Sequence, residues 1–214
     1  MKVKKQNNST PAAILFALYL LMVIGIYLLP GNMSAEIVRE NGVVEIFSAA
    51  GYFFFCLLLV WCNLKGTVIT RLAPGVLVFF LGLRELDFHV RFTTMGMFKS
   101  RFFISPDVPL PEKVLVTLFI LGLLLYTGIY FQKTLPEFTQ ALRGARPWAV
   151  SVVCGVACAL VSKLVLDGNS GMIASVLPML ENPKMLSAIM EECLELFIPV
   201  FFIRALFQYK ADHV

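Results

Sequence analysis

A chain of 214 residues that is 58% hydrophobic and 15% charged, with a mean hydropathy of +0.80, is too apolar for a soluble domain, which would expose too much of that surface to water. Its net charge of +4 comes from Lys and Arg placed in short clusters between apolar runs, a pattern that reads as membrane topology and argues against a nucleic-acid partner. The five cysteines, Cys56, Cys62, Cys154, Cys158 and Cys193, lie in or beside apolar segments without paired loop spacing, so they form neither a disulfide framework nor a zinc knuckle and read as small packing residues.

The chain opens with Lys2, Lys4 and Lys5 ahead of an apolar run at 12–29. That run is long enough to span, and no small-residue cleavage site lies before Pro30 and Gly31, so it is expected to remain as a first helix. Further runs fall near 43–62, 72–90, 114–131, 149–166 and 186–206, each close to the ~20 residues that a spanning helix needs. The third is the least uniform, since its clean apolar part stops at Leu83. The longest connection, 91–113, holds Phe92, Phe98, Phe102, Phe103 and a proline-rich stretch at 106–111, the composition of an ordered loop that hugs the membrane interface. On the fifth span Ser151, Gly155 and Ala159 make a small-residue face that permits close helix contact, within the bundle or between copies in a homo-oligomer.

Orientation follows from alternate connections. With the N-terminus inside, the cytoplasmic set is Lys2, Lys4, Lys5, Lys65, Arg71, Lys133, Arg143, Arg146, Arg204 and Lys210. The opposite set is Arg39, Arg84, Arg91, Lys99, Arg101, Lys113, Lys163 and Lys184. Arg84 and Lys163 sit within spans, and the first helix usually dominates orientation. The expected fold is therefore an all-α polytopic transmembrane bundle of six spans with both termini cytoplasmic, one integral membrane domain over 1–214. A cell membrane, and for so small a chain a bacterial inner membrane, is the expected location.

The exceptions within the apolar runs are the most informative feature. Glu45 lies in the first turn of span two; Arg84, Glu85, Asp87 and His89 end span three; Lys163 and Asp167 end span five; Glu191, Glu192 and Glu195 open span six. Alternating helix direction puts all ten toward the extracytoplasmic face. Ionisable groups cost roughly 2.5–3.5 kcal/mol each at the bilayer centre by insertion scales, so they face the bundle interior, pair, and mark sites. At ~100° per residue Glu191, Glu192 and Glu195 share one arc, Lys163 and Asp167 stack at i, i+4, and so do Glu85 and His89. Ser48 and Tyr52 share the stripe of Glu45. Pro199 removes the helical partner of the Glu195 carbonyl, leaving a carboxylate and a free carbonyl together deep in the span, an arrangement suited to a cation, a proton or a polar headgroup.

Three functions fit this pattern. The first is an intramembrane enzyme acting on a lipid or lipid-linked substrate, with His89, Glu85, Glu195, Glu191 and Asp87 as acid, base or metal-binding residues. Arg84, Lys163, Glu45, Ser48, Asp167 and Glu192 would then hold substrate or counter-charge. A divalent metal on His89, Glu85 and Glu195 is left open. Glu45 with Ser48, then Glu85, Asp87 and His89, partly resembles the CREST superfamily of ceramidase-like membrane hydrolases. That superfamily uses three histidines on seven spans, whereas this chain has one histidine in its spans and His213 at its tail, so no family is assigned. The second function is proton or cation handling with Glu195 as the coupling carboxylate and Lys163 or Arg84 as its counter-ion. The third is a non-catalytic membrane partner, in which the charges lock the bundle. Membrane lipid is the expected partner throughout.

Overall fold

The computed structural model describes residues 9–39, 42–62, 64, 67–97, 100–166 and 182–213. Among them every regular element is helical: α1 Ser9–Tyr27, α2 Gly31–Ile37, α3 Val43–Cys62, α4 Val68–Glu85, α5 Phe88–Arg91, α6 Ser100–Ile104, α7 Leu110–Arg143, α8 Pro147–Val161 continued by a π-helical turn Ser162–Leu166, and α9 Pro183–His213. Three helices are long and apolar enough to cross a membrane, Val43–Cys62, Leu110–Arg143 and Pro147–Leu164, and Ala13–Tyr27 is a shorter apolar helix. The third and sixth expected spans are helical as α4 and α9, but Arg71, Arg84 and Glu85 in the first, and Glu191, Glu192, Glu195, Arg204 and Lys210 in the second, make them less apolar.

Two elements depart from expectation. The third span was expected to run on to Val90, but α4 ends at Glu85, and Asp87 adopts φ 50°, ψ 25°, a left-handed conformation that Asp tolerates better than most residues and that turns the chain before α5. The i, i+4 stacking of Glu85 with His89 therefore loses the continuous helix it required. The fourth span was expected to stop at Phe131, yet α7 continues to Arg143, about 51 Å at ~1.5 Å per residue, through Pro136 and a segment whose Gln132, Lys133, Leu135, Glu137, Gln140, Ala141, Leu142 and Arg143 all favour helix, and it ends at Gly144. The connection between the first two spans also contains α2, anchored by Ser34, whose buried hydroxyl donates to the carbonyl of Ile26 at 2.8 Å.

The chain divides into two compact units, with the boundary passing through α3 after Ser48. The first comprises 1–48 and 147–212. Its core joins Tyr19, Val23 and Ile26 of α1 with Ile189, Cys193 and Phe197 of α9, residues spaced by three or four and so lying on single helix faces. Tyr19 and Phe197 meet edge to face, with ring centroids 5.8 Å apart. On the opposite side of α9, α8 packs antiparallel: Trp148 meets Tyr209, Gly155 meets Phe202, and Leu166 meets Ser187. Ser151 lies 2.7 Å from the Gln208 amide, whose oxygen, once its nitrogen faces Ser151 and the Pro147 carbonyl, accepts from Arg204 Nε at 3.1 Å. Ser151 and Gly155 of the small-residue face are thus occupied from within the chain. A Cβ at Gly155 would stand 2.8 Å from the Phe202 ring and 3.3 Å from the Phe201 Cβ. Overpacking of this kind costs about 1–3 kcal/mol, and the gain in helix propensity returns about 1. Gly155→Ala is therefore expected to lose about 1 kcal/mol net, read as a lowered unfolding midpoint in detergent.

The second unit covers 49–146 with 213–214. Here α3 and α4 pack closely where a Cβ on Gly82 would touch Tyr52 and Phe53, and one on Gly75 would stand 2.9 Å from Leu59. The described residues of the 91–113 connection fold over the start of α7. Phe102 is fully buried with Val108 and Val116, Glu112 accepts from the Thr94 amide and hydroxyl at 2.7 Å each, and Lys113 Nζ donates to the Ser105 carbonyl at 2.8 Å.

Candidate functional site

The densest polar arrangement among the described residues lies in the first unit, where the π-turn faces α9. Glu191 and Glu195 are four residues apart and so project from one side of α9, an arrangement that is repulsive unless a cation intervenes. Lys163 supplies it. Its ammonium lies 2.8 Å from Glu195 Oε1 and 3.0 Å from Glu191 Oε1. The Ser162 hydroxyl, fully buried, donates to the same Glu195 Oε1 at 2.8 Å.

Two consecutive residues thus reach one carboxylate oxygen. In an α-helix neighbouring side chains diverge by ~100°. The wider turn of a π-helix brings Ser162 and Lys163 closer in azimuth, so both address Glu195. Such turns are rare overall and frequent at functional sites. The last carbonyl of the turn, that of Leu166, accepts from the buried Ser187 hydroxyl at 3.2 Å, one helical turn before Glu191 on the same stripe of α9.

The second helix is interrupted at the same level. Pro199, buried inside α9, offers no N–H to the Glu195 carbonyl. The buried hydroxyl of Ser48, from α3, donates to that carbonyl at 3.2 Å instead. Glu195 is therefore held at both ends, its carbonyl by Ser48 and its carboxylate by Ser162 and Lys163.

Exposure falls steadily inward along this cluster. The side chain of Lys163 is 38% exposed, that of Glu191 18% and that of Glu195 6%. The ammonium therefore sits between an outer and an inner carboxylate. An ion pair of this depth costs several kcal/mol in desolvation, which close geometry and extra hydrogen bonds must repay.

The remaining candidates distribute as follows. Ser48, Lys163, Glu191 and Glu195 come together, while Glu45 and Glu192 belong to the same unit and are half-buried on α3 and α9. Arg84, Glu85 and Asp87 belong to the second unit, where Arg84 Nη2 lies 3.1 Å from Glu85 Oε1. Glu85, with a side chain 3% exposed, is as deeply buried as Glu195. Asp167 and the side chain of His89 lie outside the described residues. Glu85 and Glu195 fall in different units, and no three His, Cys, Asp or Glu side chains among the described residues are grouped to hold a metal ion. Ser162 was not anticipated from sequence, where its signal was a polar residue beside Lys163 in an apolar run.

No protein-family model, curated protein or solved structure matches this chain.

Proposed function

We propose that this chain is a six-span membrane protein with both termini cytoplasmic, and that it takes up and releases a proton or small cation at Glu195, for which Lys163 is the tethered competitor. The observation that carries this reading is the placement of one ammonium between two carboxylates of unequal burial. A carboxylate as deep as Glu195 is costly to leave without positive charge or a proton. Lys163 can withdraw from it and still keep Glu191, so the exchange strands no cation. Glu195 then needs a proton or a cation in its place. The π-turn that carries Lys163 and the proline break beside Glu195 put the two helix irregularities on either side of this exchange, the setting in which transporters bind ions near the bilayer midplane.

The enzyme reading finds less support at this site. The hydroxyl nearest the carboxylate, Ser162, is fully buried and already donates to Glu195, so it is not presented to a lipid substrate. A bundle lock without transport would use the same pairing, and flux separates the two. Purified protein in liposomes with an imposed proton, Na⁺ or K⁺ gradient is expected to dissipate one of them, and Glu195→Gln is expected not to. A wild-type protein that moves none of these ions would overturn the reading.

Topology is tested separately. In a chain with its five native cysteines replaced, a cysteine at Asn32, exposed in α2, is expected to react with an impermeant maleimide from outside the cell. One at Gln140, exposed near the end of α7, is expected to react only after lysis. The reverse pattern would invert the orientation.

A further inference from the structure

The second unit has a cleft that the Glu195 reading does not involve. At Gly82 and Gly75 the helices α3 and α4 touch, and the Cys56 thiol donates to the Gly75 carbonyl at 3.3 Å. One turn nearer the start of α4, the small residues give way to Arg71 and Leu72. The result is a cleft of about 180 Å³ lined by Leu59, Val60, Leu64, Arg71 and Leu72.

We propose that this cleft seats one anionic phospholipid, its phosphate on Arg71 and the start of an acyl chain along Leu59, Val60 and Leu72. Four of the five lining residues are apolar, which suits a hydrocarbon chain, and the fifth is a guanidinium, the side chain best shaped to hold phosphate oxygens in pairs. Arg71 lies in the first turn of α4, where the 18-residue helix presents its partial positive end. The neighbouring Trp61, 73% exposed at the end of the membrane-crossing helix α3, marks the headgroup level, since tryptophans gather where hydrocarbon meets water. Charge, apolar lining and depth thus agree on a lipid lying at the interface with its headgroup against the protein. Basic pockets between spanning helices bind anionic headgroups on the same physical grounds.

The test uses the full chain purified in detergent, with phosphatidylglycerol or phosphatidylcholine added in mixed micelles. Retained lipid is counted by native mass spectrometry, and the unfolding midpoint is measured in parallel. Phosphatidylglycerol is expected to be retained at one per chain and to raise the midpoint more than phosphatidylcholine. Arg71→Gln is expected to weaken its retention about fivefold, the loss of one basic contact near a membrane surface, and Arg71→Lys to keep most of it. Should Arg71→Gln fail to fold, the wild type remains decisive, because retention through a guanidinium–phosphate contact must fall as salt rises. Equal retention of the two lipids, retention indifferent to salt, or full retention by folded Arg71→Gln would overturn the proposal. So would inorganic phosphate raising the midpoint as much as phosphatidylglycerol, since the acyl contacts would then contribute nothing.

Discussion

Glu195→Gln is expected to abolish ion flux in liposomes while lowering stability by about 1.5–3 kcal/mol, the range of a lost hydrogen bond to a charged group. The cost follows from geometry: Lys163 keeps Glu191 at 3.0 Å and is 38% exposed, so water and the outer carboxylate share its charge. Lys163→Met is expected to cost more, about 3–5 kcal/mol, because it takes the ammonium away from a carboxylate that is 6% exposed. The two changes together are expected to cost less than the sum of the single changes, since Gln beside Met leaves no charge at the deeper position, yet flux stays absent. Denaturation in detergent measures the stability cycle and a gradient assay measures flux. If the two single changes prove equally mild and their effects simply add, the pairing of Lys163 with Glu195 is not formed in solution. If Glu195→Gln transports as well as wild type, the site is a lock and nothing more.

Ser48→Ala is expected to lower stability by about 1–3 kcal/mol, the cost of leaving a buried acceptor without its donor. The loss should depend on residue 199. Pro199→Ala restores an N–H within helical reach of the Glu195 carbonyl, so that carbonyl regains the partner that Ser48 now replaces at 3.2 Å. In that background Ser48→Ala is expected to cost close to nothing. Unfolding midpoints of the four proteins measure the coupling, and an unchanged Ser48→Ala penalty in the Pro199→Ala background would mean that Ser48 stabilises the bundle by another route. Flux in the same set asks a second question. If the interruption of α9 serves transport, Pro199→Ala will slow it even where stability rises.

Much of this site was legible along the chain. Apolar runs located six of the helices, because spanning or core helices must be apolar over whole turns. The acids of the last helix stood out as charges inside such a run, and the Pro199 spacing alone marked the Glu195 carbonyl as lacking its helical donor, which is the carbonyl Ser48 reaches. Other features were not legible. The turn at Asp87 and the extension of α7 to Arg143 depend on local backbone balance that hydropathy does not register.

Residue order by itself located the six long apolar helices, showed which side chains share a face of α9, and marked Glu195 as a deep carboxylate suited to a cation or a proton. Only the tertiary structure decided that the cation is Lys163, that Ser162 joins it, and that Arg84 pairs with Glu85 in the other unit. The reason is that a helical period states directions around one axis, whereas an ion pair depends on how two axes are rotated and shifted against each other. Contacts such as Gly155 against Phe202 and Tyr19 against Phe197 set that rotation and shift. The π-turn then changes the azimuth of Ser162 and Lys163 by an amount that no uniform period contains.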